Sequence, residues 1–214
     1  FKIEVTKPFA KTVTYTVKVT RNTSDAWNGE AAKGFAGGSG TFADPYLISN
    51  AAELKYLADM VNNADSNAPV YKVSSSTSLI YRNTYFRLTN DIVLNICDED
   101  YADWVDFAPK NNWTPIGAKN ARSFGGNFNG AGYTIYGLYC NTGSAHNEGT
   151  GLFGRVFNGT IEHVTVKNAC VIGNQRVGGI AGSTVASSIA TINNCGFVGV
   201  IKSGSQRVGG ITGQ

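Results

Sequence analysis

The 214 residues carry 18 Lys and Arg against 15 Asp and Glu, a net charge of +3 that is too small and too scattered for a nucleic-acid surface. Charged residues are only 15% and hydrophobic ones 42%, with 26 Gly, the composition of many short strands joined by tight turns and not of a helix-rich enzyme. No apolar stretch approaches the roughly 20 residues that span a bilayer, so membrane insertion is not expected.

The chain begins at Phe1 and shows no signal peptide, so it reads as a mature or excised piece. Thr12 to Val19 alternates polar and apolar residues behind a Pro8 break, which predicts one or two strands over residues 1–22, a hairpin or the last strands of a preceding β-sandwich. Residues 23–49 are rich in Gly, Ser and Ala and read as a linker and lead-in segment. From 50 to 214 a capping helix and a repeated β region are expected.

The helix covers Asn50 to Asn62. Asn50 is a natural N-cap, Glu53 three residues on completes a capping box, and Leu54, Leu57, Ala58 and Val61 form the apolar stripe. It is expected to cover the first turn, since an open strand edge invites aggregation. Residues 65–80 are polar and Ser-rich and read as a loop; Tyr85–Leu88 and Ile92–Leu94 read as strands. Residues 96–112 form an insertion with Asp98, Glu99, Asp100, Asp103 and Asp106. Asp98, Asp100 and Asp103 are candidate Ca²⁺ ligands. The fixed spacing of a calcium loop is missing, so a solvated acidic loop with no metal is expected.

Repetition decides the architecture. Gly173-Asn-Gln-Arg-Val-Gly-Gly-Ile-Ala-Gly182 returns as Gly204-Ser-Gln-Arg-Val-Gly-Gly-Ile-Thr-Gly213, 31 residues on (Gly173 to Gly204). The same step carries Thr160-Ile161 onto Thr191-Ile192 and Val166 onto Phe197; one repeat earlier, Gly151–Gly154 matches Gly179–Gly182 and Thr134–Leu138 matches Thr160–Val164. Units this short cannot bury an apolar face alone and must stack on their neighbours. The predicted fold is all-β, a right-handed parallel β-helix with stacked residues about 4.8 Å apart. The predicted inward columns are Ile135, Ile161 and Ile192; Leu138, Val164 and Cys195; and Cys140, Val166 and Phe197. Cys140 and Cys195 then serve as small hydrophobes. A Cys170–Cys195 disulfide is the sharper alternative, disfavoured because the two occupy different columns. The chain stops just after a repeat signature, so further turns are expected beyond Gln214.

These motifs resemble the GLUG-type repeats of bacterial surface proteins. The resemblance rests on Gly151-Leu-Phe-Gly154, Val177–Gly182 and Val208–Gly213, preceded by Gly38-Ser-Gly-Thr41, Asp44-Pro-Tyr-Leu-Ile48 and Trp113-Thr-Pro-Ile-Gly117, and it covers roughly residues 37–214. It implies an exported or cell-surface bacterial protein with an adhesin-like or stalk role. Similar repeats also precede the catalytic part of some IgA-protease-type metallopeptidases. Thr14 to Arg21 resembles the closing strand of a cadherin-like β-sandwich. The family supplies no catalytic residues to carry over.

A search for chemistry finds little. Glycoside hydrolysis needs two carboxylates across one bond, yet the repeated part offers chiefly Glu148 and Glu162, with Glu162 aligned to Tyr136 and Asn193. His146 and His163 lack ligand-spaced partners, and no HExxH, GxSxG or phosphate-loop pattern is present. Two features favour binding. Gln175 and Gln206, with Arg176 and Arg207, share columns and build a basic ridge suited to an anionic glycan or acidic partner. Tyr133, Tyr136 and Tyr139 flank the inward Ile135 and Leu138 and offer rings for sugars, or pack beneath the 141–150 loop. The expectation is a non-catalytic, extracellular, adhesin-like binding or display module without a cofactor. It would be a monomeric segment of a larger multidomain protein, with glycans or surface proteins as partners. A carbohydrate-active β-helix enzyme and a pure spacer are the alternatives.

Overall fold

The computed structural model describes residues 2–5, 13–16, 27–63, 70–74, 77–80, 82–97, 101–119, 121–143, 148–185 and 188–213. The protein is mostly β, with several sheets that are largely parallel. Lys2–Val5 and Val13–Thr16 pair antiparallel, as the alternation before residue 20 predicts.

Beyond residue 45 short β-prone segments fall into three five-stranded sheets and a two-stranded one, Val177–Gly178 beside Val208–Gly209. The first holds Tyr46–Ile48, Tyr85–Leu88, Asn127–Asn129, Thr160–Glu162 and Thr191–Asn193, all in parallel. The second holds Ile92–Val93, Thr134–Tyr136 with Tyr139–Asn141, Thr165–Gly173 and Gly196–Ser203. The third holds Val70–Ser74, Thr77–Ile80, Ser123–Phe124, Phe153–Val156 and Ala181–Thr184. From Tyr85 onward the chain visits first, second and third sheet in turn and repeats the circuit. In the opening circuit the helix Ala51–Asn62 stands in the chain position that later circuits give to a second-sheet strand.

Alternation puts one residue of each pair inward. Phe86, Phe128 and Ile161 of the first sheet, Ile135 and Val166 of the second, and Phe124, Phe153 and Val156 of the third are all 0–1% exposed. Phe124 and Phe153 lie 4.9 Å apart by ring centroids, and Phe128 meets Phe153 edge-on at 5.3 Å. Each such ring pair contributes about 0.5–1.5 kcal/mol beyond its burial. Ile192, Phe197 and Ile201 of the last circuit are only half-buried against this core.

The helix forms for the reasons its sequence predicts. Asn50 Oδ1 accepts the Glu53 N–H at 3.0 Å, and the Glu53 carboxylate reaches back to the Ser49 N–H at 2.6 Å, one residue earlier than a standard capping box. Leu54, Leu57, Ala58 and Val61 are fully buried. At its last residue, the buried Asn62 donates to the Pro115 carbonyl at 2.9 Å and accepts the N–H groups of Gly117 and Ala118 at 3.1 and 2.8 Å. That one amide fastens the helix to the Trp113–Gly117 segment. A second buried knot joins Asn95 and Asn111: Asn111 donates to the Trp27 carbonyl at 2.7 Å, and Asn95 to that of Gly137 at 3.0 Å. No described helix is long and apolar enough to cross a membrane.

Two expectations are corrected. Within the segment read as a loop over 65–80, Val70–Ser74 and Thr77–Ile80 form an antiparallel pair whose second strand continues the third sheet onto Ser123–Phe124. Serine content misled there, because Val70-Tyr71 and Leu79-Ile80 supply enough β-formers. The column assignment also shifts. Ile135 stacks on Ile92 and Val166, not on Ile161, while Ile161 stacks between Phe128 and Ile192. Cys140 stacks on Val171, which stacks on Ile201. Leu138 neighbours Cys170, whose N–H its carbonyl accepts at 2.8 Å. The cause is that Thr-Ile opens a strand on two different sheets, at Thr134 and at Thr160, so similar strings were matched across faces. The true partner of Thr134 is Thr165, again 31 residues on (Thr134 to Thr165).

Candidate functional site

Since Phe86, Phe128 and Ile161 point into the core, their neighbours in the first sheet must point out. The register stacks Tyr85, Asn127, Thr160 and Thr191 in one outward row, and Leu47, Arg87, Asn129, Glu162 and Asn193 in the next. Over these rows lies a cavity of about 390 Å³ lined by Phe42, Pro45, Tyr85, Arg87, Asn129 and Glu162, among others. A second cavity of about 360 Å³ shares Tyr85 and Asn127 and extends to the corner residues Asn83, Asn158 and Ile189. The two form one shallow trough across the outer face of the sheet.

Phe42 forms the wall of this trough. It is 82% exposed, yet its ring meets Tyr85 edge-on at 5.4 Å and 76°. The turn that carries it is tied down. Asp44 closes it, its carbonyl accepting the N–H groups of Ser39 and Thr41 at 3.0 and 3.1 Å and its N–H donating to Thr41 Oγ1 at 3.1 Å. The Tyr85 N–H then donates to the Gly40 carbonyl at 2.9 Å. An exposed aromatic on a fixed turn loses little entropy when a ligand covers it.

The floor is polar and ordered. Asn129 donates to Glu162 Oε1 at 2.9 Å, and its own Oδ1 accepts the Ala131 N–H at 2.7 Å. His163 Nδ1 lies 3.9 Å from Glu162 Oε2, and the other ring nitrogen of His163 is 3.1 Å from the Asn194 amide. One guanidinium, Arg87, and one carboxylate, Glu162, line the larger cavity. The arrangement suits a ligand with both donors and acceptors and no strong charge.

The residues expected to bind lie elsewhere and apart. The Arg176 N–H donates to the Gln206 carbonyl at 3.2 Å and the Val177 N–H to that of Arg207 at 2.9 Å, so Gln175 over Gln206 and Arg176 over Arg207 are stacked as the repeat requires. Both arginines take left-handed backbone, φ 55° and 65°, at the corner that precedes the third sheet. Gln175 and Arg176 are half-buried, whereas Gln206 and Arg207 are exposed. The tyrosines do not share one platform. Tyr133 is 36% exposed, Tyr136 is half-buried and Tyr139 is buried. Trp104 of the 96–112 insertion stands edge-on to Tyr139 at 6.2 Å, and Asn141 donates to its hydroxyl at 3.2 Å.

In the acidic insertion, Asp103 opens an exposed 3-10 turn, while Asp98 and Asp100 lie outside the described residues, as does His146. Among the described residues no cluster of His, Cys, Asp and Glu is placed to hold a metal. Glu148 pairs with Arg155 at 3.3 Å. Glu162 stacks on Asn129 and Asn193, which corrects its expected alignment with Tyr136. All four cysteines are free thiols. Burial pushes the Cys140 thiol up to about 12 and that of Cys170 up to about 11.

No family model matches the chain, so the GLUG-type resemblance stands on its motifs. Halomucin from Haloquadratum walsbyi is 28% identical over 191 residues, which cover 87% of this chain but 2% of halomucin. The crystal structure described as "a putative immunoglobulin A1 protease from Bacteroides ovatus" superposes with a TM-score of 0.50 at 22% identity, covering 78% of this chain and 41% of that one. The likeness is one of fold. It says nothing of catalysis, and the chain spans a small part of the first protein and under half of the second.

Sequence reasoning passed over Phe42, Tyr85, Arg87, Asn127, Asn129 and Thr160. A signal was present: Tyr85-Phe86-Arg87, Asn127-Phe128-Asn129 and Thr160-Ile161-Glu162 each set an apolar residue between two outward ones.

Proposed function

We propose that the chain is a segment of a right-handed parallel β-helix in an extracellular protein, working as a non-catalytic binding and display module. The carrying observation is the circuit of three mainly parallel sheets, which converts alternate residues of successive turns into fixed outward rows such as Tyr85-Asn127-Thr160-Thr191. Right-handed winding follows from the strong preference of parallel crossovers. Halomucin, a relative named as a mucin, supports a place outside the cell, and the small share of it that this chain matches suits one module of a long protein. The GLUG-type motifs support an adhesin-like role with glycans or surface proteins as partners.

The test is affinity electrophoresis of the whole chain in gels carrying polysaccharides or mucin, run beside a reducing-end assay on the same polymers. Retardation without release of reducing ends supports the reading. Release that vanishes in Glu162→Gln would replace it with a carbohydrate-active enzyme. Neither retardation nor release would reduce the segment to a spacer.

A further inference from the structure

The trough on the outer face of the first sheet has no assigned role. We infer that it is a subsite for a neutral saccharide, with the Phe42 and Tyr85 rings taking the apolar face of a sugar and the outward rows taking its hydroxyls. This inference rests on the binding-module reading and names the site and ligand class within it.

Three observations narrow the occupant. First, the strands beneath the trough are interior to their sheet, paired on both sides, so their backbone groups are already used. A peptide that adds a strand has no edge to join here, and recognition must run through side chains. Second, those side chains mix donors and acceptors: the Arg87 guanidinium, the Asn127 amide, the Thr160 hydroxyl and the Glu162 carboxylate. In the larger cavity one positive and one negative group offset each other. Arg82 of the smaller one leaves a single positive charge over the trough, far short of the basic cluster a polyanion needs, while the mixed donors and acceptors suit a ligand rich in hydroxyl groups. Third, Phe42, 82% exposed and in edge-to-face contact with Tyr85, places open aromatic surface beside that polar floor. A pyranose has one such apolar face and a polar rim, and it needs both surfaces together.

The rows also repeat along the stack. Side chains in successive turns sit about 4.8 Å apart, a spacing comparable to the length of one pyranose ring. An oligosaccharide running along the stack thus meets Arg87, Asn129 and Glu162 at successive rings. The Asn129–Glu162 hydrogen bond holds two of these groups in place before the ligand arrives.

The experiment titrates the whole ¹⁵N-labelled chain with neutral oligosaccharides of the gluco-, manno-, galacto- and N-acetylhexosamine types, following the side-chain amides of Asn127 and Asn129 by NMR. One type is expected to shift those amides, and Phe42→Ala is expected to weaken its binding about tenfold, or about 1.4 kcal/mol. Phe42 is 82% exposed, so this variant keeps the fold, and its unchanged backbone spectrum verifies that. Tyr85→Phe is the second variant; it retains the ring and should bind within about threefold of wild type. Saccharide binding that Phe42→Ala leaves intact, or that falls instead in Arg176→Ala/Arg207→Ala, overturns the trough while sparing the binding module. No shift with any neutral oligosaccharide also overturns it, and retardation in the polymer gels then tells whether the module reading survives.

Discussion

Asn62→Ala offers the most direct measure of how the helix is bound to the β circuits. The Asn62 side chain makes three hydrogen bonds, to the Pro115 carbonyl and to the N–H groups of Gly117 and Ala118. All four residues are buried, so truncation leaves one acceptor and two donors without partners. Each orphaned group costs about 1–3 kcal/mol, and water entering the vacated space recovers part of that. Alanine's better helix propensity offsets about 0.5 kcal/mol. The net expectation is a loss of about 4 kcal/mol, a large share of the roughly 5–15 kcal/mol available to a domain. At about 3 °C per kcal/mol for a chain of this size, the melting midpoint falls by about 12 °C. Thermal melts by circular dichroism give the total, and hydrogen exchange at Gly117 and Ala118 locates it. The neighbouring Asn63, exposed at the helix C-cap, is the comparison, with a loss under about 0.5 kcal/mol expected for its alanine variant. A loss below about 1 kcal/mol in Asn62→Ala, or unchanged protection of the two amides, would refute the idea that this amide fastens the helix.

Three further outcomes are expected. A double-mutant cycle of Ile135→Ala with Val166→Ala should show coupling above about 0.5 kcal/mol, because the two stack directly, whereas Ile135→Ala with Ile192→Ala should be additive within that value; the reverse pattern in urea titrations would restore the column assignment made from sequence. Gly137 has φ 72°, and an added Cβ would lie 2.0 Å from the Asn95 carbonyl, while Gly132 has φ 85° with open space around it. Gly137→Ala should therefore cost about 3–5 kcal/mol and Gly132→Ala only about 1 kcal/mol, and equal denaturation midpoints would show that contact plays no part. Cys140 has its thiol raised by burial from 9.0 to about 12, so the unfolded chain releases that proton first as pH climbs. Its contribution is complete below about pH 9 and is lost as pH rises towards about 12. Cys140→Val should flatten the fall in stability over that window, and an unchanged slope would assign the fall to other groups.

Local chemistry made some of this fold legible in the sequence. The capping residues Asn50 and Glu53 and the stripe Leu54, Leu57, Ala58 and Val61 specify a helix by themselves, and it forms where expected. The near-identical strings at Gly173 and Gly204 fix one stacking step without ambiguity, since Val177 meets Val208. Register between earlier turns was not legible, because its step is not constant. It is 33 residues in the first sheet (Asn127 to Thr160), 31 in the second (Thr134 to Thr165) and 28 in the third (Phe153 to Ala181). Corner loops differ in length between turns, and each loop resets the offset for the strand that follows.

The candidate site was hidden for the same reason. Tyr85, Asn127 and Thr160 are outward residues of unrelated type, and only stacking makes them neighbours. Inward positions are held to one chemical class by burial, as Phe86, Phe128 and Ile161 are. Outward positions carry no such constraint, and a row can change from aromatic to amide to hydroxyl without harming the stack. That freedom is what allows a stacked fold to place Phe42 and Tyr85 beside Arg87, Asn129 and Glu162 while the inward Phe86, Phe128 and Ile161 stay apolar. It also separates the two kinds of candidate. The Gln175 and Arg176 repeat is conspicuous because successive turns carry the same residues, and sameness is what sequence comparison detects. A binding surface gains from difference between turns, since a ligand with apolar faces and polar rims needs unlike groups side by side. The row without sequence symmetry is therefore the better place to look for recognition, and the repeated corner the better place to look for the constraint that holds the turns in register.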